Sequence, residues 1–191
     1  MKRLLISTLL AGGLLSSSFA QAKEYVIDTK GMHAGITFRI QHLGYSWMYG
    51  RFNDFEGQFT YDEEKPEDAQ IEVTIDTTSI DSNHAERDKH LRGEDFLAVD
   101  EFPEAKFVST AYKTNGDGTG TLEGEFTLKG VTNPLSIEVE EIGAGKDPWG
   151  GYRRGFEGTT TFALADYGID YDLGPASREV ELMLSVEGIR Q

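Results

Sequence analysis

From Ala34 onward apolar and polar residues alternate with a period of two, and the alternation recurs along most of the chain. Successive side chains of an extended chain point to opposite faces, so the pattern predicts half-buried strands. Ala34, Ile36, Phe38 and Ile40 fall on one face, with Gly35, Thr37, Arg39 and Gln41 on the other. Ile71, Val73 and Ile75 oppose Glu72, Thr74 and Asp76; Leu122, Phe126 and Leu128 oppose Thr121, Glu123, Glu125 and Thr127. Leu135, Ile137 and Val139 form a further face, as do Phe156, Phe162 and Leu164, and Val180, Leu182, Leu184 and Val186. With Gly50–Tyr61 and Lys106–Lys113 the count reaches about eight strands, and a short ninth fits Glu24–Ile27. Turn chemistry separates them at Asn115-Gly116, Gly130 to Pro134, Asp147-Pro148-Trp149-Gly150 and Gly174-Pro175. No linker, repeat or charge block divides residues 23–191, so the expectation is one all-β domain. An antiparallel sheet of this size avoids exposed edges by closing into a barrel.

The stretch HAERDKHLRGEDF, residues 84–96, breaks the alternation. Asn83 reads as a helix cap with Glu86 behind it, and Gly93 as the stop. Glu86–His90 and Asp88–Arg92 have the spacing of favourable helical ion pairs. Leu91, Phe96 and Leu97 are the large apolar side chains nearby, so this helix is expected over one end of the barrel. Asp88, Leu91 and Phe96 are its candidate lid residues.

At the other extreme of polarity, Lys2 and Arg3 precede an apolar run from Leu4 to Leu15 and then small residues ending Ala20-Gln21-Ala22. This layout predicts a secretory signal peptide cleaved after Ala22. A membrane anchor needs roughly 20 apolar residues, more than this run offers. The expectation is export to a bacterial periplasm without a stable membrane anchor. The formal net charge of −15 excludes nucleic acid by simple repulsion. The chain has no cysteine, so an oxidising compartment adds no disulfide.

Signals for chemistry are sparse. His84 and Asp88 fall on one helical face, which would suit a hydrolase or a metal. The run is not H-E-x-x-H, however, and a catalytic zinc needs a third protein ligand from elsewhere, such as His42. There is no G-x-S-x-G elbow and no phosphate-cradling glycine loop. The reading therefore assigns no catalytic residue, no metal ligand and no cofactor. A hydrolase or metal-binding protein using His84 and Asp88 stands as the alternative.

The inward rows say more. Ile36, Phe38, Ile40, Phe55, Phe59, Ile75, Phe126, Phe156, Phe162, Leu182 and Leu184 would wall the interior of an eight-stranded barrel. Such a barrel either fills with side chains or holds one small ligand. Ala34, Gly57, Gly124 and Gly158 share those rows and are read as leaving room, although glycines also relieve strain where strands coil. His42 and Arg154 end their apolar runs and are expected near a mouth, as candidates for a ligand's polar head. A buried guanidinium needs a partner, which for Arg154 is either an internal carboxylate or that head group. Tyr45, Trp47, Tyr49 and Trp149 are read as loop aromatics that rim the entrance or cap the core.

Four segments, FRIQHLGYSWMYGRFNDFEG, SIDSNHAERDKHLRGEDF, FTLKGVTNPL and DLGPASREVELMLSVEG, make the chain resemble the YceI-like family of periplasmic polyisoprenoid-binding proteins. The resemblance spans nearly all of residues 23–191. It implies a lipocalin-like, eight-stranded antiparallel barrel around a long apolar cavity. It also implies a non-enzymatic role with an amphiphilic lipid, such as a polyisoprenoid or quinone precursor, linked in some bacteria to stress or alkaline pH. His42, Gly44, Arg87, Asp88, His90 and Leu91 match the family's motif positions. Gly93 departs from the serine more usual after H-L-R. A homodimer is compatible with the sequence but not required by it.

Overall fold

The computed structural model describes residues 22–191; apart from Ala22, the expected signal peptide lies outside the described residues. In chain order the strands are β1 (Lys23–Ile27), β2 (Gly35–His42), β3 (Ser46–Phe52), β4 (Phe55–Tyr61), β5 (Gln70–Asp76), β6 (Ile80–Asp81), β7 (Glu104–Thr114), β8 (Thr119–Leu128), β9 (Val131–Lys146), β10 (Tyr152–Ala163) and β11 (Glu179–Arg190). Among the described residues there is one α-helix, α1 (Ala85–Arg92), between β6 and β7.

All pairings are antiparallel, and β1, β4, β5, β7, β8, β9, β10 and β11 close a ring, because β1 pairs with both β4 and β11. The remaining strands extend three of these positions. β11 pairs with β1 near its C-terminal end, at Gly188–Arg190, and with β2 further back, at Glu181–Ser185. β1 and β2 are thus one interrupted stave, and β3–β4 and β5–β6 are the next two. The barrel has eight staves, as expected, three of them broken.

Two of the breaks have a local cause. Between β1 and β2, the Asp28 carboxylate accepts from the Gly31 amide at 2.8 Å. Between β5 and β6, Asp76 accepts from the Thr78 amide at 2.8 Å and starts a one-turn 3-10 helix. There the fully buried Thr77 hydroxyl donates to the Phe102 carbonyl at 2.8 Å. The Lys129–Gly130 hairpin has positive φ at both central residues (49° and 75°), the geometry that matches the twist of flanking strands.

The structure departs from expectation in places. Gly50–Tyr61 is not one strand but the end of β3, a break at Asn53–Asp54, and β4. Trp47 and Tyr49 are therefore strand residues on the outer face, and the Arg39 guanidinium sits 4.3 Å from the Trp47 ring. Tyr45 and Trp149 stand in solvent, 87% and 76% exposed. Pro134 lies inside β9, where β10 no longer pairs with it, so its missing amide costs no ladder bond.

Candidate functional site

Two adjoining cavities lie inside the barrel and share part of their lining. The upper one, beneath α1, has a volume of about 600 Å³ and is lined by Phe38, Ile40, Met48, Phe52, Leu91, Phe96 and Phe162 among others. The lower one is a narrow channel of about 130 Å³ lined by Phe55, Phe59, Phe107, Leu122, Ile137, Phe156 and Leu184 among others. Ile36, Ile75, Phe126 and Leu182 line both and form the collar between them. All eleven expected wall residues face one chamber or the other.

The polar groups divide by end. Gln41, His42, Arg87, His90, Asp172 and Ser177 line the upper chamber, where His42 is exposed. Arg154 is not with them: it lines neither chamber and stands at the opposite end of the barrel. Its guanidinium is 3% exposed, is paired with Glu141 and Glu63, and lies 4.2 Å from the Tyr61 ring. Burial disfavours its charge, but Tyr25, Glu141 and Glu63 outweigh that and raise its pKa. Arg154 projects from β10 and Glu63 follows β4, three staves round the ring. The bridge therefore crosses the barrel's lower end and forms a floor. These two carboxylates, of which Glu141 is the more buried, are its partners in place of a ligand head.

The helix is held differently from the sequence expectation. His84, not Asn83, is the cap: its Nδ1 accepts from the Arg87 amide at 3.2 Å, while Asn83 has φ +61°. Gly93 ends the helix with an extended backbone rather than a left-handed one. Asp88 is buried and turned away from the tunnel, where it accepts from the Ser82 amide at 2.8 Å and from the Ser82 hydroxyl. Burial raises its carboxyl pKa, but these bonds and the Arg92 charge outweigh it and hold the group below the usual range. Arg92 donates to the carbonyls of Ile80 (2.9 Å) and Thr78 (3.2 Å), and His90 lies 3.1 Å from Asp95. The helix is thus tied to the Thr78–Ser82 segment rather than to itself, because fixed backbone groups satisfy a buried carboxylate better than a mobile cation on the same helix. His84 and Asp88 consequently point to different partners and form no catalytic pair. Of the lid residues, Leu91 and Phe96 face the upper chamber and Asp88 does not.

The glycines of the inward rows are not vacancies either. A Cβ on Gly124 would come within 2.3 Å of the Phe107 ring, and one on Gly158 within 3.1 Å of Ile137. One on Gly57 would meet the Glu72 carbonyl at 2.7 Å. A ring takes the place at Gly124, and aliphatic side chains and backbone take it at Gly57 and Gly158.

Sequence reading missed Ile169, Tyr171 and Leu173, which line the upper chamber. Their signal was present, since they alternate with Asp170 and Asp172. Asp28, His33 and Glu187 bring potential metal-ligand atoms together, but Arg153 already donates to both carboxylates.

The YceI-like domain model matches residues 25–188. The chain belongs to the YceI-like family. A UPF0312 protein of Shewanella sp. (strain ANA-3) is 56% identical over 191 residues, covering 100% of each chain. Burkholderia cenocepacia BcnA superposes with a TM-score of 0.76 at 19% identity, over 84% of this chain and 98% of that one. A polyisoprenoid binding domain from Saccharophagus degradans superposes with a TM-score of 0.62 at 12% identity, over 87% and 98%. The family and the barrel are thus established together.

Proposed function

We propose that this YceI-like protein is an exported carrier that holds an isoprenoid-like amphiphilic lipid in its tunnel. The carrying observation is the apolar barrel interior, in which the upper chamber and the lower channel adjoin at Ile36, Ile75, Phe126 and Leu182. The polyisoprenoid binding domain among its structural neighbours and the leader-like N-terminus support the same reading. The polar head sits at the His42 end, where Gln41, Arg87 and His90 border the upper chamber, and the tail points toward the Arg154 floor. The site needs no cofactor for this task.

The energetics favour tail burial. At ~0.8 kcal/mol per buried CH₂, one prenyl unit contributes on the order of 3–4 kcal/mol at most. A few units offset an association cost of roughly 4–15 kcal/mol, so the tail dominates affinity and the head tunes it. Solvent extraction of freshly purified protein is expected to release a prenyl-containing amphiphile visible by mass spectrometry. Extracts that contain no lipid, from protein that also takes up no added prenol, would sink the reading.

A further inference from the structure

The lower channel owes its bore to glycines that never touch its contents. The Phe59 ring lies on Gly188, Phe107 on Gly124 and Tyr112 on Gly120; added Cβ atoms would come within 2.4, 2.3 and 2.7 Å of those rings. All three aromatics line the lower channel. Phe38, which lines the upper chamber, lies in the same way on Gly50, at 2.2 Å. Glycine within a strand marks a place where another group approaches the backbone closely. Here an aromatic ring is among the nearest groups at each site, joined by the Lys113 carbonyl at Gly120 and the Val108 carbonyl at Gly124, each 2.6 Å from the Cβ position.

The two chambers differ in kind. About 600 Å³ falls within the range of sites that enclose a ring system or bulky head, and about 130 Å³ falls well below it. We infer that the lower channel admits a single hydrocarbon chain, that Gly120, Gly124 and Gly188 set its bore, and that the tunnel thereby selects one-tailed amphiphiles over two-chain lipids. This rests on the lipid-carrier reading and adds to it the residues that determine chain selectivity. Gly188 gives the cleanest test, because the atoms nearest its missing Cβ belong to the side chains of Phe59 and Tyr25 and not to backbone.

The experiment takes delipidated protein with three probes: geraniol (two prenyl units), geranylgeraniol (four) and dihexanoyl phosphatidylcholine. Wild type is expected to bind both prenols and to bind the two-chain lipid far more weakly than geranylgeraniol. Gly188→Ala pushes Phe59 into the channel and should weaken geranylgeraniol by at least about tenfold while geraniol, held in the upper chamber, changes less than about twofold. Adding Phe59→Leu should restore geranylgeraniol binding. Gly50→Ala crowds the upper chamber and should weaken both prenols alike. If Gly188→Ala does not fold, Gly124→Ala with and without Phe107→Leu provides the same comparison. Equal effects of Gly188→Ala on the two prenols, no recovery in the double variant, or two-chain binding as tight as geranylgeraniol would each overturn the inference while leaving the carrier reading in place. A wild type that binds neither prenol removes both.

Discussion

Asp28 closes the break between β1 and β2 through three partners. It accepts from the Gly31 amide at 2.8 Å and from Arg153 at 2.7 Å, and lies 2.9 Å from His33 Nδ1. Arg153, and after it His33, lower its pKa from 3.8 to about 2. A carboxyl depressed on folding stabilises the protein above its unfolded pKa and loses that contribution as the pH falls through its folded value. Asp28→Asn is therefore expected to cost about 2 kcal/mol at neutral pH. The gap in Tm from wild type should narrow between pH 3.8 and about 2. A gap that stays constant across that window would show that the ionic tie is not what Asp28 contributes. At this scale the sequence was only partly legible. Asn83 has the better capping side chain, yet its left-handed backbone hands the role to His84, and no residue pattern reveals that exchange. Gly124 looked like room because composition cannot show the Phe107 ring lying on it.

The strands were the readable elements, since a buried face and a wet face force a period of two that survives any register. Their breaks were less visible: Asn53–Asp54 interrupts a stave without disturbing the alternation on either side. Helix α1 was found through its failure to alternate, but its attachments join residues of different elements, which spacing within one helix cannot predict. Those attachments give an element-scale expectation. Asp88→Ala leaves the buried Ser82 amide without its acceptor, which costs roughly 1–3 kcal/mol. Amide exchange across 85–92 should rise while the barrel strands stay protected. Glu86→Ala, an exposed change on the same helix, should remain within about 0.5 kcal/mol of wild type. If the two variants behave alike, the Ser82 tie does not hold the lid.

For the molecule as a whole, the eight closed staves bring an open, lid-covered end and a plugged end to one bore. The upper end is bordered by separable pieces: α1, the β2–β3 turn and the Asp172–Ser177 segment, with Leu43 lying 3.7 Å from the Cβ position of Gly174. The lower end is crossed by one guanidinium held from two sides. Glu141, on the neighbouring strand, fixes Arg154 to the wall, whereas Glu63 reaches it from across the ring and is itself 69% exposed. The two carboxylates should thus separate stability from retention. Glu141→Gln weakens a partner of a nearly fully buried cation and should lower Tm. Glu63→Gln removes the charge of the more exposed partner and should cost less than Glu141→Gln, yet it releases the strap across the floor. Dissociation of geranylgeraniol measured after dilution should then speed up in Glu63→Gln more than in Glu141→Gln although Tm falls less, because the tail gains a second way out. Dissociation as slow as in wild type would mean that the wall and lid alone retain the tail, and that Arg154 serves only to neutralise the carboxylates around it.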